Sequence, residues 1–112
     1  MTTVPAVLSV DLEFFQHAPA YRRAAGTADP GLGSEGVAFL LDAFDAAGAT
    51  GTFFTVSDIV DSHPTLVERV VDAGHELASH THSHRHLSEL SAAERREELA
   101  DSRERLERAT GA

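Results

Sequence analysis

Three strand-like runs alternate with helix-length stretches along this chain, and that alternation limits the folds open to it. Residues 6–10 are apolar and β-branched behind Pro5, residues 50–56 read Thr-Gly-Thr-Phe-Phe-Thr-Val, and Glu76–Ser79 forms a third run. Short runs of this kind read as buried strands, and residues 6–10 carry the signature of a central parallel strand. Between them, Val37, Leu40, Leu41 and Phe44 recur at i, i+3, i+4 and i+7, which predicts a helix from Ser34 to a stop near Gly48. Ser62 or His63 caps a second predicted helix with Pro64 in its first turn, and Leu66, Val67, Val70 and Val71 form its stripe before Gly74. Ser91-Ala92-Ala93-Glu94 is a capping box, so a third helix runs from about residue 92 toward Thr110.

The expected fold class is therefore α/β, a parallel βαβαβα unit with right-handed crossovers. Phe53 and Phe54 are expected in the core. The third helix shows only Ala92, Leu99 and Leu106 as an apolar seam, with Asp101–Arg105 and Glu104–Arg108 as i,i+4 ion pairs on a solvated face. Residues 16–34, rich in Ala, Gly and Pro, read as a long loop. Tyr21, Arg22 and Arg23 are its bulky polar group and are read as surface rather than substrate contacts.

Composition narrows the chemistry. The 112 residues suffice for one domain or part of one, and the absence of cysteine excludes disulfides and thiolate metal sites. Any metal must be held by His, Asp or Glu. Nine basic residues, all arginine, against 18 acidic ones give −9, which argues against nucleic acid or an anionic membrane as partner. The chain has no long apolar run, and Met1-Thr2-Thr3-Val4-Pro5 lacks the basic start and apolar core of a signal peptide, so a cytoplasmic location is expected.

Five of the seven histidines lie within the twelve residues 75–86, one just before the third strand and four directly after it. Neutral imidazole is a common ligand for zinc and its first-row neighbours. Two geometries are open. A strand continuing to residue 84 would put His80, His82 and His84 on one face. A turn after His80 would let the i,i+4 pair His80 and His84 converge while His82 points elsewhere, and the Ser-rich run and the capping box that follow favour the turn. At the end of the first strand, Asp11 and Glu13 stand two apart and can point the same way. Carboxylates there are costly to bury without a metal or partners. Both clusters sit at C-terminal strand ends, the edge where parallel α/β folds bind ligands. His63 reads as a helix-start residue without chemistry.

Three segments resemble the N-terminal half of NodB-type polysaccharide deacetylases, the carbohydrate esterase group that removes N-acetyl groups from chitin-like and peptidoglycan sugars. Ser9-Val10-Asp11-Leu12-Glu13 is similar to the family's first motif, and Ala49-Thr50-Gly51-Thr52-Phe53-Phe54 to its Ala-Thr-Phe-Phe strand. Gly74-His75-Glu76 leading to His80-Thr81-His82-Ser83-His84 resembles the His-Ser/Thr-x-x-His motif with its Gly-His-Glu lead-in. The resemblance implies a divalent ion held by His80, His84 and an acid, with zinc first and cobalt or nickel feasible. It makes Asp11 the base that activates water. The usual second aspartate is replaced by Leu12, which binds no metal, so the Asp-x-Glu form of the motif makes Glu13 the third ligand.

The implied substrate is an N-acetylated carbohydrate or a small amide. The implied architecture is the N-terminal portion of an irregular (β/α) barrel. A closed (β/α)₈ barrel takes roughly 250 residues, and the family's later motifs have no counterpart before Ala112. Residues 1–112 are thus expected to be a partial deacetylase domain lacking its C-terminal half. Such a piece binds an ion but hydrolyses amides poorly, and its open sheet edge invites self-association. Two other readings are a His80-x-His82 metal amidohydrolase and a non-catalytic module that binds a metal or a partner.

Overall fold

The computed structural model describes residues 3–26, 29 and 31–112. Three parallel strands form one sheet in the order β1 (Ser9–Leu12), β2 (Thr52–Thr55) and β3 (Glu76–Ser79). Val10 pairs with Phe53 and Phe53 with Leu77, so the three strands run in step. The helices are α1 (Pro19–Ala25), α2 (Gly33–Ala47), α3 (Asp58–Ser62), α4 (Pro64–Asp72) and α5 (Ala92–Thr110). The α/β alternation expected from the sequence is the fold. Among the described residues, no helix is long and apolar enough to cross a membrane.

One face of the sheet carries the core. Leu12, Phe53 and Thr55 are buried there, with Val37 and Leu41 of α2, Ile59 of α3, and Leu66, Val67 and Val70 of α4. Alternation sends the neighbouring residues the other way. Phe53 is fully buried whereas Phe54 is 38 % exposed, so of the two phenylalanines expected inside, one faces the open side of the sheet. Local pattern assigns both rings to a strand; only the presence of helices on a single face separates them.

Several boundaries differ from expectation. β1 begins at Ser9 and includes Asp11 and Leu12, while residues 6–8 are exposed and outside any strand. It is also an edge strand, because β2 takes the centre. The stretch 16–34 is not one long loop: Pro19 opens α1 and α2 starts at Gly33. Alanine-rich segments read as loop when Gly and Pro flank them, yet Ala is the best helix former. The helix α3 is too short to show periodicity, and burial of Ile59 anchors it. Gly48 and Gly74, with φ of 63° and 89°, end α2 and α4 in the left-handed region that glycine adopts without a Cβ penalty.

The helix α5 corrects the seam. Its buried positions are Glu98, Ser102 and Leu106, whereas Leu99 is 52 % exposed and Ala92 is exposed. Ser102 Oγ shares a 2.7 Å hydrogen bond with Ser79 Oγ of β3, a polar tie that no apolar count would find. The two expected ion pairs are replaced as well. Arg105 and Arg108 reach across to Asp61 of α3 at 2.7 and 3.4 Å, and the i,i+4 pair that forms is Arg103–Glu107. The Arg105 guanidinium beside Asp61 holds that carboxyl below its ordinary range.

Candidate metal centre

The rim at the C-terminal ends of the strands is assembled from two turns. β1 ends at Leu12, whose side chain enters the core at 2 % exposure. Its neighbours Asp11 and Glu13 therefore face the other side. β3 ends at Ser79, and the chain turns immediately, as the turn geometry requires: Thr81 has φ 63° and His84 φ 61°. A left-handed Thr is unusual because its branched Cβ crowds the backbone. This double reversal swings His84 back over His80, with ring centroids 4.9 Å apart.

Glu13, His80 and His84 meet there. Glu13 Oε2 lies 2.9 Å from His84 Nε2 and 3.7 Å from His80 Nε2, and one donor atom from each residue falls within 4.8 Å of the others. A tetrahedral ion with bonds near 2.0–2.1 Å separates its donors by about 3.3 Å. The two measured gaps bracket that figure, so the donor set fits a divalent ion. All three side chains are about one-third exposed or less, which leaves the site open on one side.

The second imidazole is oriented from behind. His84 Nδ1 lies 2.8 Å from the carbonyl oxygen of His17. A carbonyl only accepts, so Nδ1 carries a proton, and Nε2 is the ring nitrogen turned toward Glu13. His17 is itself 2 % exposed, and its Nδ1 accepts the Phe14 N–H at 2.9 Å. Its Nε2–H then donates to Asp58 Oδ1 at 2.7 Å. Sequence reading missed this histidine because it lies far from the cluster, with no spacing to mark it. Such rear support is what holds ligating imidazoles in one tautomer.

His82 is not part of the group. Its Nδ1 shares a 2.9 Å hydrogen bond with Ser57 Oγ, away from Glu13. The turn at Thr81 thus removes the His80-x-His82 arrangement. His63 caps α4 and lies 3.1 Å from Asp29, as a helix-start residue does. Arg22 is not idle surface, since its guanidinium donates to the carbonyls of Gln16 and Ser83. Asp11, Glu13 and His84 line a cavity of about 520 Å³ whose walls include Phe14, Val37 and Leu40.

Behind the turn lies Glu98, buried at 7 % exposure. Burial pushes its carboxyl up, but hydrogen bonds from the Ser83 hydroxyl and the Ser83 and His82 N–H groups outweigh that, and the net shift is downward. A carboxyl whose folded value is lowered stabilises the fold above its unfolded pKa and loses that contribution as pH falls through the folded value. Acid unfolding of the metal-free chain, followed by circular dichroism, is therefore expected to steepen below pH about 4.3. Glu98→Gln should flatten that limb.

Similarity to known proteins places the chain in a family. The chain matches the family described as Polysaccharide deacetylase over residues 18–112, a stretch that contains both histidines and begins after Glu13. It is 29 % identical over 85 residues to a peptidoglycan-N-acetylglucosamine deacetylase of Bacillus cereus, covering 76 % of this chain and 31 % of the relative. A family 4 carbohydrate esterase from Bacillus anthracis superimposes with a TM-score of 0.63 at 26 % identity, over 68 % of this chain and 37 % of that one. A CE4 family pseudoenzyme from the same species reaches 0.73 over 95 % of this chain and 31 % of that one, at 20 % identity, a likeness of fold alone. The chain spans about a third of the length of these proteins. By the matched residues, the chain belongs to the polysaccharide deacetylase family.

Proposed function

We propose that this chain carries the metal-binding and base-bearing part of a hydrolase that removes N-acetyl groups from amino sugars. The observation that supports this most directly is the convergence of Glu13, His80 and His84 on one rim, beside Asp11. Glu13 and the two Nε2 atoms would hold the ion. When bound, a divalent ion supplies the positive charge that polarises an amide carbonyl and acidifies water. The His17 carbonyl keeps His84 in the tautomer that offers Nε2. Asp11, a carboxylate on an exposed strand position facing the same cavity as Glu13 and His84, takes the proton as water attacks the acetamide carbon. Glu13, committed to the ion, is unavailable for that task, which separates the roles of the two acids.

The proposal is tested by adding zinc or cobalt and N-acetylglucosamine oligomers and measuring released acetate. Turnover by the 112-residue chain alone is expected to be poor. Whatever turnover is measured, Asp11→Asn should lower kcat by about 10²–10⁴-fold, the range for loss of a general base. Its zinc Kd should stay within about twofold by titration calorimetry, because the base holds no metal. A parallel loss of zinc affinity would make Asp11 a ligand instead. A second reading is a non-catalytic metal-binding module, since Glu13, His80 and His84 could hold an ion without any turnover. A longer form that loads zinc and still releases no acetate selects that reading.

A further inference from the structure

The turn that carries His80 and His84 is strained at two points, and its backbone is nevertheless fully engaged from Thr81 to the His84 N–H. The Thr81 N–H meets Ser79 Oγ at 3.3 Å, and the Thr81 and His82 carbonyls accept the Ser57 and Asp58 N–H groups at 3.0 Å each. The His84 N–H donates to Thr81 Oγ1 at 3.0 Å. The Arg22 guanidinium donates to the Ser83 carbonyl from α1. The remaining groups all converge on one residue. The His82 and Ser83 N–H groups donate to Glu98 Oε2 at 2.9 and 3.0 Å, and the Ser83 hydroxyl donates to Oε1.

We infer that Glu98 is a positioning residue for the metal centre: from α5 it holds the 81–84 turn in the left-handed form that brings His84 Nε2 over His80. This rests on the metal-binding reading given above. The physical argument is one of competition. Left-handed φ at Thr81 and His84 opposes the turn at each position. Without an acceptor, the paired His82 and Ser83 amides would be left unsatisfied in a half-buried place, and the turn would relax toward forms that hydrate them. A buried carboxylate is a strong acceptor for two parallel amides and a hydroxyl at once. Glu98 touches neither His80 nor His84 by hydrogen bond, so its influence passes through the backbone. Its place in the sequence hides it, since Glu97-Glu98 reads as a solvated pair in a charged helix.

The test compares Glu98→Leu, which keeps bulk but no acceptor, with Glu98→Gln, which keeps one carbonyl oxygen for the amides while Ser83 Oγ reverses to accept. Zinc affinity, measured by calorimetry on folded protein, should fall by about tenfold or more in Glu98→Leu and by no more than about threefold in Glu98→Gln. Hydrogen exchange of the metal-free wild type provides a readout that no variant can spoil. The His82 and Ser83 amides should be protected by about a hundredfold or more, and Glu98→Leu should lose that protection while β2 keeps its own. A folded Glu98→Leu that binds zinc like wild type overturns the inference, as do unprotected His82 and Ser83 amides in the wild type. Equal losses in the two variants also overturn it, because accepting hydrogen bonds would then not be the cause. Failure of the wild type to bind zinc sinks the metal reading instead, and the exchange data still report on the clamp.

Discussion

Alanine at His80 or His84 is expected to weaken zinc binding by more than about a hundredfold, since a lost ligand costs more than the 10–100-fold of a lost supporting group. Alanine at His82 is expected to leave it within about threefold. The difference follows from the turn. His80 and His84 present Nε2 to the same Glu13 oxygen, while His82 spends its ring on Ser57. Titration calorimetry with zinc, and the visible spectrum of the cobalt form, read the three variants side by side. Loss of metal in His82→Ala with none in His84→Ala would reverse the assignment and return the centre to a His-x-His strand. Glu13→Gln belongs with the first group: the amide keeps the shape but loses the charge that offsets a divalent ion. Its loss should exceed that of His82→Ala in the same titration.

The second large effect concerns stability. Phe53→Ala is expected to cost about 3–5 kcal/mol. Phe53 is fully buried at the centre of the middle strand, with its ring 5.0 Å from His75 and 5.9 Å from Phe44. Those neighbours are themselves fixed, His75 by accepting the Gly51 N–H at 3.0 Å, so the cavity has little freedom to collapse. Against a typical total of about 5–15 kcal/mol, such a loss leaves a domain near its unfolding limit at room temperature. Phe54→Ala, one residue on, removes the same atoms from the open face and should cost less than about 1 kcal/mol. Urea unfolding of the two variants makes the comparison. Equal costs would mean that the exposed face of the sheet is covered in solution, and concentration-dependent unfolding of the wild type would then identify a second copy as the cover.

Much of the candidate site is legible in the sequence. The interval of four between His80 and His84, the hydroxyls between them, and the Asp-x-Glu at the first strand's end describe a centre in local terms. Turn chemistry and strand period are local properties, and so the early end of β3 at Ser79 could be foreseen. The Ser91–Glu94 capping box likewise placed the start of α5 without error, and it forms with both hydrogen bonds made. Helix α1 is hidden because Ala-rich sequence between Gly and Pro carries no stripe. The seam of α5 is hidden because the face turned inward is largely polar.

What the sequence by itself determined is the alternation of three strands with the three longer helices, the parallel sense of the strands, and the two local clusters that hold the candidate ligands, because each is carried by residues near one another along the chain. Only the tertiary structure decided which phenylalanine of β2 is core, that His17 lends its carbonyl to His84, and that Glu98 rather than an apolar residue backs the turn. Those outcomes depend on groups separated by 15 to 67 positions. A buried polar atom takes whichever partner the folded chain brings within about 3 Å, and no spacing rule along the chain encodes that choice.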